Sequence, residues 1–128
     1  MSIFIDKNKL FQIEISGTYI KDLTGNNIGF KIVQDGDVII TGYASGRDFE
    51  RMSKIIEDAS IINSVTGKPL LRSSVFCKMI IIHFFKEIHV KQNENILKVP
   101  VNQETIKNIQ YDLIKKLSQK WLELTDGG

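Results

Sequence analysis

The sequence predicts an α+β fold, in which an antiparallel β-meander of three or four strands packs against two or three α-helices. Three observations predict it: apolar residues alternate with polar ones over 10–23, recur at helical spacing after residue 45, and form one long stripe near the C-terminus. The 128 residues match the usual length of one domain. We therefore expect a single domain over 1–128, mostly β over 1–44 and mostly α over 45–128, with a short edge strand near 96–101.

The first strand is predicted from a period of two between residues 10 and 23. The positions that would face the core are Phe11, Ile13, Ile15, Gly17 and Tyr19. Gly17 within this pattern indicates a bulge or a break into two strands. Two further strands are predicted over 28–33 and 38–43, and Asp35-Gly36 lies between them. Because Asp-Gly tolerates the positive φ angles of a tight turn, we expect these two strands to form a β-hairpin.

Three helices are predicted after the strands. Ser45 and Asp48 fit a capping box at the start of the first helix, which runs to about Ala59 or Ile62. Residues 73–89 are rich in strand-forming side chains, but their apolar positions also share one helical face, and we interpret the segment as a largely buried helix. Asn102 is the predicted cap of the last helix. The residues predicted to form the core are Phe11, Ile13, Phe30, Ile40, Phe49, Met52, Ile56, Ile80, Phe84, Leu113 and Leu117.

The composition places the chain in the cytoplasm. Its single cysteine, Cys77, excludes an intrachain disulfide, and the N-terminal residues lack the long apolar run of a signal peptide. The most apolar stretch, 79–85, is much shorter than the roughly 20 residues that a membrane span needs. We therefore expect a cytoplasmic protein.

We find no residues arranged for catalysis. Cys77, His83 and His89 are the residues best suited to nucleophilic or metal chemistry, but each follows the last by six residues, which separates their side chains by about 120° on a helix. No pair of carboxylates and no glycine-rich phosphate loop stands out. We therefore expect no enzymatic activity, no cofactor and no metal.

The C-terminal helix offers two candidate binding surfaces. Its apolar stripe continues almost to the end of the chain, further than a small sheet can cover, which predicts contact with a protein partner or a second copy. The residues assigned to this contact are Leu117, Trp121, Leu122 and Leu124. Unpaired backbone of the edge strand around 96–99 is a further contact. Lys115, Lys116 and Lys120 form the candidate nucleic-acid surface, although the net charge of only +2 argues against this class.

The order of elements from residue 38 to residue 124 resembles that of tail assembly chaperones and similar small tail proteins of long-tailed bacteriophages. The segments that carry the resemblance are 48–52 (DFERM), 66–69 (TGKP), 84–88 (FFKEI), 97–104 (LKVPVNQE) and the closing Leu113, Ile114 and Leu117. The strands over 10–43 depart from the more helical members of that group. The resemblance implies a non-catalytic protein that binds the tape-measure protein or tube subunits and keeps apolar segments from aggregating. It would then lie in the host cytoplasm or in the virion.

The expected function is therefore the binding of another protein. Two alternatives remain open at the level of sequence. One is an anti-defence or toxin-neutralising protein, which is also small and has no catalytic motif. The other is a nucleic-acid-binding protein that uses the lysines of the last helix.

Overall fold

The computed structural model of the chain describes residues 9–126, which form one five-stranded antiparallel sheet, one two-stranded sheet and four helices. The strands are β1 (Leu10–Lys21), β2 (Asn27–Ile32), β3 (Val38–Ser45), β4 (Ser60–Ile62), β5 (Pro69–Leu71), β6 (Phe85–Gln92) and β7 (Asn95–Val99). The helices are α1 (Phe49–Ala59), α2 (Ser73–Phe84), α3 (Gln103–Ile106) and α4 (Tyr111–Thr125). The predicted α+β class is confirmed.

The five-stranded sheet has the order β2-β1-β3-β6-β7, and β4 pairs only with β5. The predicted hairpin between β2 and β3 is wrong, although Asp35 does adopt a positive φ of 60°. The reason is the length of β1, whose residues 17–21 pair with β2 while its residues 10–17 pair with β3. The connection between β2 and β3 passes close to β1, with Gly36 against the backbone of Gly17.

Gly17 is the point at which β1 changes partners. It faces Ile32 of β2 and Val38 of β3, and β1 continues through it without the predicted bulge or break. The irregularity in this strand lies instead between Ile20 and Lys21. A Cβ atom at Gly17 would overlap the ring of Phe30 and the carbonyl oxygen of Lys31, so the glycine is needed for close packing.

The first helix begins later and buries less than predicted. Asp48 caps it by accepting hydrogen bonds from the amides of Glu50 and Arg51 at 3.0 and 3.3 Å, whereas Ser45 is the last residue of β3. Phe49 and Ile56, both predicted to be core, are 82% and 46% exposed. The physical reason is that α1 packs chiefly on α2, which covers only the narrow stripe of Met52, Ile55 and Ala59.

The segment over 73–89 is both helix and strand. The prediction of a helix is correct as far as Phe84, but the chain then continues directly into β6, which pairs with the free edge of β3. The last helix is also divided. Asn102 caps the short α3 by accepting from the amide of Thr105 at 2.8 Å, and α4 begins only at Tyr111. Between them, the Gln110 side chain accepts from the amide of Phe30 at 2.9 Å and donates to its carbonyl oxygen at 2.7 Å.

One hydrophobic core lies between the sheet and the helices α2 and α4. Eight of the predicted core residues are buried and Phe11 is half-buried; the eight are Ile13, Phe30, Ile40, Met52, Ile80, Phe84, Leu113 and Leu117. The largest fully buried side chain is Trp121, whose indole stacks on Phe84 with ring centroids 4.5 Å apart. Within residues 9–126, no helix combines the length and the apolar character needed to cross a membrane.

Replacing Trp121 by alanine tests its place in the core. The change removes the stack on Phe84 and the hydrogen bond from the indole Nε1 to the carbonyl oxygen of Ser45, at 2.8 Å. We expect Trp121→Ala to lower the free energy of unfolding by about 3–5 kcal/mol, as measured by urea denaturation followed by circular dichroism. Leu124→Ala, at a half-exposed position of the same helix, serves as the control and should lower the free energy of unfolding far less.

Gly17→Ala tests the close packing at the point where β1 changes its partner strand from β3 to β2. Because the new methyl group has no room beside Phe30 and Lys31, we expect a loss of at least about 1–3 kcal/mol in the free energy of unfolding. Gly46→Ala is the matched control, since its Cβ would lie 3.6 Å from the nearest atom, on Phe11, which is an ordinary contact. Equal stability of the two variants in urea denaturation would contradict the packing described for Gly17.

Candidate functional site

An apolar cleft lies between the N-terminal half of α4 and the core face of the sheet. Its volume is about 150 Å³. Nine side chains from five strands, from α4 and from the segment before α4 line it: Tyr19, Phe30, Ile40, Ile88, Val90, Val99, Ile109, Leu113 and Leu117. We refer to this space as the cleft.

The division of the last helix produces the cleft. Gln110 holds the start of α4 beside β2, and α4 packs on β1. The core faces of β6 and β7 extend beyond this helix, so that Val90 and Val99 are only half-buried. Ile109, in the short segment between α3 and α4, lines the helical side of the cleft, whereas Val90 and Val99 line its sheet side. The sheet is therefore wider than the helical layer that covers it.

The edge strand β7 stands beside the cleft and is unusually apolar. A second depression, lined in part by Ile96 and Leu97, adjoins the cleft and shares Tyr19 and Val90 with it. Ile96 is 65% exposed and Leu97 is 64% exposed. Because β7 is the last strand of its sheet, its outer backbone amides and carbonyls are available to an added strand. The arrangement combines a free strand edge with an apolar space next to it.

A polar contact borders this region at the end of β6. Gln92 lines the second depression, and its amide Nε2 donates a hydrogen bond to Asp37 Oδ2 at 2.9 Å. This bond, together with one from Thr18, lowers the pKa of the Asp37 carboxyl below its usual 3.8. The ionised form of Asp37 therefore adds a side-chain contact where the start of β3 and the end of β6 already pair, at Val38 and Gln92.

The residues assigned to protein contact from the sequence are separated by the fold. Leu117 and Trp121 are buried in the single chain, so neither is exposed on the outer side of α4, and Leu117 forms part of the floor of the cleft. Their apolar stripe faces the core because α4 packs on both β1 and α2. Leu122 is half-buried, and Leu124 is exposed on a shallow groove that Glu14 and Lys120 also line.

The three candidate lysines of α4 lie in two different environments. Lys115 and Lys116 are exposed. The Nζ of Lys120 donates to the carbonyl oxygen of Glu14 at 3.1 Å, and Glu123 lies on the same groove. The carboxylates beside Lys120 reduce the attraction that this helix has for phosphate groups.

The residues considered for chemistry lie in three different environments. Cys77 is buried in α2 beside Tyr111, and burial is the main cause of a raised pKa for that tyrosine. His83 is exposed at the end of α2. His89 lies on the face of the sheet away from the helices, where its Nε2 is 3.4 Å from Glu87 Oε2 and its ring meets Tyr43 edge-on. Within the part of the chain that the structure describes, no three His, Cys, Asp or Glu side chains are placed to hold a metal ion.

Comparison with known proteins identifies no relative: no protein-family model matches the chain, and no curated protein or solved structure is significantly similar to it. The sequence predicted the edge strand beside the cleft, but not the cleft itself, because Ile106, Ile109 and Leu113 read as one unbroken helical stripe. The signal that could have revealed the division is Asn108 and Gln110, two polar residues that flank Ile109.

The contact between Asp37 and Gln92 predicts a dependence of stability on pH. Because the pKa of Asp37 is lowered on folding, its contribution is complete above its unfolded value of 3.8 and is lost as the pH falls through the folded value. We expect the difference in free energy of unfolding between the wild type and Asp37→Ala to be constant near neutral pH and to disappear in strong acid. Urea denaturation between about pH 7 and pH 2 measures it. In a Gln92→Ala background this pH dependence should shrink, and an unchanged dependence would contradict the assigned cause.

Proposed function

We propose that this protein is a non-catalytic binding protein that holds an extended apolar segment of another protein along β7 and in the cleft. The observation that carries the proposal is the cleft itself, an apolar space of about 150 Å³ that opens beside a free strand edge. Apolar concave surface with an available backbone edge is typical of proteins that bind peptides by strand addition.

The edge of β7 and the cleft would bind different groups of the same partner segment, its backbone and its side chains. A strand added to β7 would gain backbone hydrogen bonds along Asn95–Val99, independently of the partner's sequence. Alternate side chains of that strand would point toward the helical side of the sheet, where Leu97 and Val99 lie. A cavity of about 150 Å³ accommodates a group the size of a benzene ring, so one leucine or phenylalanine side chain fits the cleft. The site thus selects apolar segments.

This activity agrees with the role that the resemblance to phage tail assembly chaperones implies. A chaperone of that kind binds apolar segments of a tape-measure protein before the tail assembles, and an apolar cleft beside a free edge suits such a partner. A tape-measure gene next to the gene for this chain would support this partner. A neighbouring toxin gene would instead support the toxin-neutralising alternative, in which the same site binds the toxin.

Leu97→Lys tests the site. The probe is a fluorescein-labelled ten-residue peptide of alternating leucine and serine with a lysine at each end, and its binding is followed by fluorescence polarisation. Because Leu97 is 64% exposed beside the cleft, lysine there removes apolar contact without disturbing the core. We expect the dissociation constant to rise at least about tenfold.

Leu23→Lys is the matched control, because Leu23 is fully exposed in the turn between β1 and β2, away from β7. Its affinity for the peptide should equal that of the wild type. Equal affinities of Leu97→Lys and the wild type, or no binding by the wild type, would exclude the cleft as a site for apolar segments.

A further inference from the structure

A second apolar surface lies between α1 and α2, away from the strands and helix that form the cleft. The two-stranded sheet of β4 and β5 forms a hairpin over Ser60–Leu71, which we call the arm. Its strand pairs are Ser60 with Leu71, Ile61 with Leu70 and Ile62 with Pro69. Every residue of the arm except Ser60 and Asn63 is exposed, and Ile62 and Val65 reach 68% and 92%.

The arm is held firmly at its base. The guanidinium of Arg72 donates to the carbonyl oxygens of Asp58 and Ala59 at 2.8 and 3.1 Å, and its backbone amide donates to Ala59 at 2.9 Å. These bonds satisfy carbonyls at the end of α1, which has no basic residue in its last turn. Ser60 Oγ adds a bond to the carbonyl oxygen of Ile56 at 2.6 Å.

The tip of the arm is equally well ordered by local bonds. The Asn63 side chain accepts from the amides of Val65 and Thr66 at 2.8 and 3.2 Å, and Gly67 takes the positive φ of 70° that the turn requires. A two-stranded hairpin alone in water is marginally stable, and this one has apolar side chains on both faces. Contact with another protein surface would therefore stabilise the arm by burying these side chains.

The size of the surface matches one side of a dimer interface. Together, the exposed parts of Phe49, Ile56 and the arm's apolar residues amount to roughly 400–500 Å² of apolar area, at about 100 Å² for each fully exposed aliphatic side chain. A dimer of standard size buries about 800 Å² on each subunit, of which about 65% is apolar in homodimers. The arm with the outer side of α1 therefore supplies the apolar core of such an interface.

The charges beside the arm favour a second copy of this chain as the partner. No acidic residue occurs between Asp58 and Glu87, and the arm carries one charge, the cation of Lys68 near its tip. The exposed side of α1 carries three carboxylates, of Glu50, Glu57 and Asp58, against two cations, Arg51 and Lys54, and is therefore acidic by one charge. A two-fold contact that lays each arm against the α1 helix of the other copy brings opposite charges together twice, because such a contact repeats every pairing.

We propose that two copies of this chain associate through the arm, with each arm lying against α1 of the other copy. The apolar residues of the arm form the centre of the contact, and Lys68 of each copy faces the acidic residues of the other copy's α1. This inference does not depend on the cleft, which is built from different elements, so the two can fail separately.

The mass of the full-length protein tests the dimer. Light scattering of the wild type at about 100 μM should give twice the 14.6 kDa of one chain. The double variant Ile62→Asp, Leu70→Asp places charges at the apolar centre of the contact. We expect it to raise the dissociation constant of the dimer at least about 100-fold, as measured by sedimentation equilibrium. Fluorescence of Trp121, the only tryptophan, reports whether the core of the variant is intact.

Two further variants separate the arm from other apolar surfaces and test its orientation. Leu23→Asp, at an exposed position outside the arm, should leave the dimer unchanged. Lys68→Glu should weaken it at least about tenfold, because the new carboxylate meets like charges on the other copy. A monomeric wild type overturns the proposal, as does a folded double variant that dimerises as tightly as the wild type. A dimer insensitive to Lys68→Glu overturns the contact of the arm with α1.

Discussion

The indole of Trp121 joins the three elements on which the arrangement of the core depends. It stacks on Phe84 of α2 and donates its Nε1 hydrogen bond to Ser45 at the end of β3, while the Arg47 guanidinium lies 5.8 Å from its ring. Arg47 in turn donates to the carbonyl oxygen of Leu122 at 2.9 Å. These contacts fix the C-terminal half of α4. With Gln110 bound to β2 at its other end, the helix lies across β1 and leaves β6 and β7 partly uncovered. The cleft is thus a consequence of where α4 is anchored.

The elements predictable from the sequence are those whose pattern reflects one local environment. The alternation in β1 and the helical spacing of Leu113 and Leu117 each report a single buried face, and the structure confirms both. The Asp35-Gly36 turn predicted that β2 pairs with β3, but β1 lies between these two strands and pairs with both. The turn alone therefore did not indicate the partner of β2. Phe49 has the spacing of a core residue, yet it is exposed, since periodicity does not show how wide a surface the neighbouring element covers. The candidate site was missed for the same reason, as it depends on where α4 begins over the sheet.

The cleft and the arm differ in the way they offer apolar surface. The cleft is concave, and its side chains come from distant parts of the sequence, from Tyr19 to Leu117. The arm is convex and continuous in sequence, and its order comes from hydrogen bonds at its base and tip rather than from packing. A concave site selects one side chain by shape, whereas a projecting arm offers a larger apolar area to a partner. The two surfaces therefore suit different contacts, and one chain can present both at once.

The position of the arm in the chain has a consequence for how the sequence can vary. The arm lies between β3 and β6, which pair with each other and so close a loop that contains α1, the arm and α2. Closing such a loop costs conformational entropy that rises only with the logarithm of its length, about 0.6 kcal/mol for each doubling. Residues inserted or removed at the tip of the arm leave Arg72 and the end of α1 in contact. Evolution can therefore lengthen or shorten this hairpin at little thermodynamic cost, while the sheet and its core stay unchanged.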